Sequence, residues 1–214
     1  MPKQNQHNPQ RLVLASASPR RLDLLEQIHI IPDQILSADS DETPHHQERP
    51  HDYALRMACE KALLVANRLA GARAGAFILS GDTVVAAGRR ILPKAETKQQ
   101  ARDCLLILSG RRHRVYGGIA LCLPDGSLRH RLVTSHVRFR RLSALEIDHY
   151  VDRGDWQGKA GGYAIQGLAA RFVRAIDGSY SNIVGFSLYD VAAMLDAAGW
   201  RGADQLPSQT PRSA

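Results

Sequence analysis

The chain has 214 residues, 44% of them apolar and 23% charged, with 28 basic against 21 acidic residues for a formal charge of +7. That length suits one ordinary domain, or two lobes sharing a core, and that composition excludes disorder over most of the chain. No run approaches the ~18 consecutive apolar residues that a spanning helix needs, so a transmembrane protein is excluded too and no membrane partner is expected.

The N-terminus, Met1 to Arg11, is polar and lacks the apolar segment of a secretory signal, so a cytoplasmic location is expected. Residues 1–10 and 201–214 read as flexible tails around a single domain at 11–200. Of the basic residues 23 are Arg and 5 are Lys, and the surplus fits an anionic partner or an Arg-rich solvated surface. Cys59, Cys104 and Cys122 are widely spaced in apolar surroundings and read as buried thiols rather than a disulfide framework.

Leu12 to Ala15 is a short strand. Ser18-Pro19 then opens a helix, with Ser as cap, Pro at the first position and Leu22, Leu25 and Ile28 as its apolar stripe. Pro50 starts a second helix that runs to about Leu69, with Tyr53, Met57, Leu64 and Val65 inward. Ala76 to Leu79 and Thr83 to Ala87 read as two strands around a loop at 80–83. Glu96 to Leu108 reads as a helix closed by Gly110. Val115 to Leu123 and Leu128 to Phe139 flank Pro124-Asp125-Gly126-Ser127, a hairpin turn in which Pro presets φ and Gly accepts positive φ. Ser143 and Glu146 make a capping box for a helix to Arg153, and Ser187 to Ala198 is the last helix. The fold class is α/β, with a mixed, partly antiparallel sheet flanked by helices.

Five stretches could carry chemistry. Ser16-Ala17-Ser18-Pro19-Arg20-Arg21 joins a strand end to a helix start. Free backbone N–H groups, two hydroxyls and two guanidinium forks there suit an anion. Two Arg in a first helical turn oppose the helix dipole, which a purely structural helix would avoid. Asp39, Asp41 and Glu42 form a hard-oxygen cluster suited to Mg²⁺ or Mn²⁺, or simply an exposed acidic turn. Asp82 sits between Gly81 and a β-branched run, as a strand-end catalytic acid or as an Asx turn. Lys61, Lys94 and Lys159 stand out in a chain that overwhelmingly uses Arg, as phosphate contacts or as chance snorkelling lysines. Gly158 to Gly167, GKAGGYAIQG, permits close backbone approach to a ligand, and Gln166 offers a donor and an acceptor for a base edge.

Taken in order, SASPRR at 16–21, Asp41-Glu42, EKA at 60–62, GDT at 81–83, Lys94, LSG at 108–110, KAGGYAIQG at 159–167 and GSYSNIVG at 178–185 resemble the Maf family of nucleotide pyrophosphatases. The resemblance spans about residues 11–199. It implies an α/β fold with two lobes around a deep cleft, similar to the inosine triphosphate pyrophosphatases. It also implies hydrolysis of a nucleoside triphosphate between its α and β phosphates, with a divalent cation.

Carried onto this chain, the resemblance makes Asp82 the proton acceptor and Glu42 its catalytic companion, both toward metal and water. Ser16, Ser18, Arg20, Arg21, Lys61, Lys94 and Lys159 would grip the triphosphate. Arg20, Thr83 and Gln166 occupy the positions that separate substrate groups, and their combination resembles the dTTP/UTP group. A sister group acting on 7-methyl-GTP typically carries Glu where Gln166 stands. Two departures occur: Ser40 stands where the family often has an apolar residue, and Lys94 follows Pro93 where the reverse order is common.

Two other readings compete. Asp39-x-Asp41-x-Thr43 matches the nucleophile motif of haloacid-dehalogenase-type phosphatases, although that motif usually ends a first strand. A nucleic-acid binder would use Arg111 to Arg114 and Arg138 to Arg141, but the interleaved aromatics of such proteins are missing. The expected partner is therefore a nucleoside triphosphate and no nucleic acid, with a homodimer left open.

Overall fold

The computed structural model describes residues 10–69 and 75–202. The elements run β1 (Leu12–Ala15), α1 (Pro19–Glu26), β2 (Gln34–Ile35), α2 (Pro50–Arg68), β3 (Phe77–Ala87), β4 (Arg90–Leu92), α3 (Lys98–Leu108), β5 (Arg112–Cys122), β6 (Leu128–Phe139), α4 (Ala144–Arg153), a 3-10 helix (Leu168–Phe172), β7 (Val173–Asp177), α5 (Tyr180–Val184) and α6 (Leu188–Ala197). They form a 7-stranded mixed sheet in the order β2-β1-β3-β5-β6-β7, with β4 also on β3. β1 pairs parallel with β2 and β3, and the remaining pairs are antiparallel.

Alternation along the strands assigns the layers. Leu12 and Leu14 of β1 pack with Phe77 and Leu79 of β3 against α1 and α6. Val13, Ala15 and Ile78 point the other way, onto Ala58, Ala62 and Val65 of α2. Further along, Val84 and Ala86 stay under α2 with Tyr53 and Met57. Val85 and Val115 face a second lobe built from α3, α4 and residues 156–172. One helix thus covers one face of the sheet. Two lobes share the other face, and the space between them is the cleft.

The sheet itself opens that cleft. On one edge of β3, β1 pairs only from Phe77 to Ser80, and β4 begins only at Val85. Residues 81–84 have no strand beside them on that edge, while β5 backs them without interruption on the other. Asp82 and Thr83 therefore lie in a gap of the sheet edge. Consecutive residues of a strand point to opposite faces, so they reach the cleft from opposite sides.

The structure differs from the expectation at this point: 77–87 is one strand, and the loop foreseen at 80–83 is its middle. Gly81 is there because a Cβ would come within 2.3 Å of Phe186. Gly118, opposite Asp82 on β5, admits α2, since its Cβ would lie 2.1 Å from the carbonyl oxygen of Ala54.

The capping box foreseen at Ser143–Glu146 forms, and a second one, Thr97–Gln100, which was not foreseen, starts α3 at Lys98 rather than Glu96. Gly126 takes φ +89 in the hairpin turn. The first helix ends at Glu26, two residues before Ile28, and it buries Leu24 and Leu25 while Leu22 is only partly covered. Leu64 and Cys59 are likewise half-buried rather than inward. The short strands β2, β4 and β7 and the helix α5 are additions to the expected set. Gln10 and Arg201 close the described residues by pairing backbone to backbone. The tails foreseen at 1–10 and 201–214 otherwise fall outside the described residues. Among the described residues no helix is long and apolar enough to cross a membrane.

Candidate active site

A cavity of about 380 Å³ fills the cleft, a size that suits a nucleotide-sized ligand. Its lining includes every site residue that the family resemblance implied: Ser16, Ser18, Arg20, Arg21, Glu42, Lys61, Asp82, Thr83, Lys94, Lys159 and Gln166. Asp39 and Asp41 stay outside it. Asp39 is exposed and pairs with Arg68, and Asp41 accepts a hydrogen bond from the Thr43 backbone N–H. The carboxylates of the D-x-D-x-T stretch therefore lie outside the cleft.

The centre is a chain of charges. Lys61 Nζ donates to Asp82 Oδ1 at 2.6 Å and to Glu42 Oε1 at 2.7 Å. Lys94 Nζ donates to Glu42 Oε2 at 2.5 Å. Lys61 and Asp82 are both buried. Burial of a charge is tolerated when it is paired, as here. Burial disfavours the Glu42 carboxylate, but hydrogen bonds from Lys61 and Lys94 outweigh that and hold its pKa at about 2. Asp82 Oδ2 has no hydrogen-bond donor among the described residues.

The placement of Lys61 follows from helical spacing. Tyr53, Met57, Lys61 and Val65 are four residues apart on α2 and all are buried. Such residues share one face of a helix, so the face that packs on the sheet delivers the ammonium to Asp82.

Glu42 comes from the irregular segment between β2 and α2, and α2 holds that segment in place. Tyr53 Oη donates to the Glu42 carbonyl at 2.6 Å. Arg56 clasps both oxygens of Glu48, at 2.7 and 2.8 Å, and donates to the Thr43 carbonyl. Tyr53 and Arg56 carry no family motif, but their helix register with Lys61 is the signal that could have found them.

The strand-to-helix loop behaves in two ways. Arg21 is buried beneath it and donates to Ser16 Oγ at 2.8 Å, to Thr83 Oγ1 at 3.2 Å and to the Gly185 carbonyl at 3.1 Å. Its guanidinium also lies 5.3 Å from the centre of the Phe186 ring. Thr83 Oγ1 donates in turn to Gly185. Arg20 has no hydrogen bond or ion pair among the described residues. Ser18 is the N-cap of α1, but its hydroxyl makes no cap bond.

On the opposite wall, the backbone of 93–95 is stitched to 158–161 by Ala95 N–H to Lys159 O, Gly158 N–H to Ala95 O and Gly161 N–H to Pro93 O. Gly161 takes φ +67, and a Cβ there would press on Val85 at 2.7 Å. The Gly-rich run thus folds onto the sheet and presents Lys159 and the exposed Gln166 to the cleft. Burial lowers the pKa values of Arg20, Arg21 and Lys159, and Arg20 lowers that of Lys159 further by its charge. Cations crowded in this way favour an anion.

The donor set fits Mg²⁺ or Mn²⁺. Glu42 and Asp82 are hard oxygen donors whose carboxylates converge on one point, that of the Lys61 ammonium. A small hard cation is commonly held by one or two carboxylates with substrate phosphates completing its shell. Among the described residues no third His, Cys, Asp or Glu joins them.

The Maf-like protein family model matches residues 11–198. The chain is 60% identical over 189 residues to the dTTP/UTP pyrophosphatase of Paramagnetospirillum magneticum, covering 88% of this chain and 97% of that protein. It is 54% identical over 190 residues to the enzyme of the same name from Caulobacter vibrioides, covering 89% and 96%. Among solved structures, the Ham1 protein of Staphylococcus aureus is 13% identical with a TM-score of 0.49, over 87% of this chain and 98% of that one. With the family match spanning nearly all the described residues and the cleft assembled from that family's motifs, the chain belongs to the Maf family of nucleotide pyrophosphatases.

Proposed function

We propose that the protein hydrolyses dTTP and UTP to the nucleoside monophosphate and pyrophosphate. The observation that carries this reading is the Glu42–Lys61–Asp82 cluster in a gap of the sheet, with Lys94 bonded to Glu42 and Arg20 and Lys159 lining the same cleft. The names of the relatives support the choice of substrate.

The triphosphate lies against the cationic wall, with Arg20 and Lys159 toward its oxygens and Lys94 beside Glu42. Ser16 and Ser18 add hydroxyls at the start of α1. Asp82 Oδ2 takes the proton of the water that attacks the α-phosphorus, and the pyrophosphate leaves as an anion that the lysines neutralise. A bound Mg²⁺ or Mn²⁺, held by Glu42 and Asp82, would supply charge neutralisation and a more acidic water. Arg21 works from beneath: by bonding Ser16, Thr83 and Gly185 together it fixes the three pieces of wall that meet there. Gln166 reads the base edge, with Thr83 and Arg20 at the neighbouring positions. A cytoplasmic site of action follows from the substrate, a nucleotide of the cytoplasmic pool.

A panel of nucleoside triphosphates with Mg²⁺ or Mn²⁺, scored for pyrophosphate, tests the reading. dTTP and UTP are expected to lead. Preference for 7-methyl-GTP would move the chain to the sister group. Release of inorganic phosphate in place of pyrophosphate would refute the reaction itself. The variant Gln166→Glu should weaken dTTP and UTP turnover selectively, and equal losses for every base would remove Gln166 from base reading.

A further inference from the structure

The two carboxylates of the cleft share one ammonium. Lys61 Nζ takes an oxygen of each, and Lys94 takes the second oxygen of Glu42. A dication arriving alone must break these bonds. It must also enter a lining in which five cations (Arg20, Arg21, Lys61, Lys94, Lys159) face two carboxylates, an excess of three positive charges. Repulsion between like charges at such separations is large on the thermal scale. The ammonium of Lys61 cannot simply step aside, because it is buried and an unpaired buried charge is costly.

A triphosphate changes both terms. Its oxygens accept the hydrogen bonds that the carboxylates would lose, and its charge of about four negative units offsets the dication and the excess of the wall.

Resting on the pyrophosphatase reading, we propose that Lys61 holds the place of the divalent cation in the free enzyme. The cation then enters only together with the triphosphate, whose oxygens draw the ammonium off Glu42 and Asp82.

The test is Mn²⁺ titration of the full chain by electron paramagnetic resonance, with the metal alone and with a dTTP analogue whose α–β bridge is an imido group. Wild-type protein should leave Mn²⁺ free when no nucleotide is present and bind one ion when the analogue is bound. Lys61→Met should bind Mn²⁺ alone about ten-fold more tightly than wild type, or better. Lys94→Met should gain less, because Lys94 touches only Glu42. Equal Mn²⁺ affinity of wild type and Lys61→Met would overturn the proposal, as would wild-type binding of Mn²⁺ alone as tight as in the presence of the analogue. If Lys61→Met does not fold, this last wild-type comparison decides alone. Failure of the analogue to bind under any condition would overturn the pyrophosphatase reading itself, whereas a bound analogue that leaves Mn²⁺ affinity unchanged overturns only the order of entry.

Discussion

In the cleft, Lys61 and Asp82 are buried as charges, and each makes the other tolerable. In the second lobe His113 is buried as a neutral ring. It meets Phe139 and Tyr163 edge to face at centroid distances of 5.1 and 5.5 Å, and its Nε2 lies 2.8 Å from Tyr163 Oη. Among the described residues its Nδ1 has no hydrogen-bond partner, and burial lowers its pKa to about 4. The first arrangement spends stability to keep charge where chemistry needs it. The second gives up charge so that aromatic rings can pack. A buried titratable group is thus a sign of function when it is held ionised by a partner, and a sign of packing when it is held neutral.

The largest effect should come from the charged site. Glu42→Gln is expected to lower turnover about a thousand-fold, within the range typical of a lost acid–base or metal-holding carboxylate, while thermal unfolding stays close to wild type. A turnover loss that merely followed a loss of fold would place Glu42 with the packing residues.

The neutral site should show the opposite pattern. Its folded pKa of about 4 lies below the ordinary 6.5, so its contribution is fully present above pH 6.5 and is lost as the pH falls through about 4. Urea unfolding of His113→Phe should therefore lack that part of the wild-type decline, on the order of 3 kcal/mol, with turnover retained. A decline identical to wild type would show that the ring is not held neutral.

Gly118→Ala bears on both regions, because it pushes α2 off β5, the strand that carries His113 and pairs with Asp82. A cost of about 2 kcal/mol is expected, as for overpacking in a tight contact. It should come with weaker catalysis, read together by calorimetry and pyrophosphate release, and an unchanged Tm would mean that α2 can shift freely. The smallest effect belongs to the exposed Lys98–Asp152 pair on the second lobe. Lys98→Ala should leave turnover untouched and Tm nearly so, as exposed ion pairs add little. A clear loss of activity would reveal coupling between that surface and the cleft.

Much of this molecule is readable from local chemistry. Ser143 to Glu146 and Pro124 to Ser127 carry cap and turn signals that act within a few residues, and the structure follows them. Ser80-Gly81-Asp82 reads as a break for an equally local reason, since glycine usually weakens a strand. What keeps the strand whole is tertiary: Phe186 needs the space over Gly81, and β5 pairs the segment throughout. The gap between β1 and β4 is likewise a property of the sheet edge and of no single segment. The residues of the cleft were legible as a set because their motifs recur in order. Their partnerships were not, because Lys61, Glu42 and Asp82 are brought together from α2, an irregular segment and β3. Arg21 gave half a hint, standing against the dipole of α1, but its burial beneath Ser16 and Gly185 depends on the far end of the chain.

The central claim is that the cleft works through Asp82, which β3 places in the gap of the sheet edge. It is tested most directly by single-turnover hydrolysis of dTTP in ¹⁸O-labelled water, comparing wild type with Asp82→Asn. The predicted result is label in the monophosphate for wild type, and a rate lower by about a thousand-fold or more for the variant with nucleotide binding and folding retained. Label in the pyrophosphate, or a variant that turns over at the wild-type rate, would contradict it.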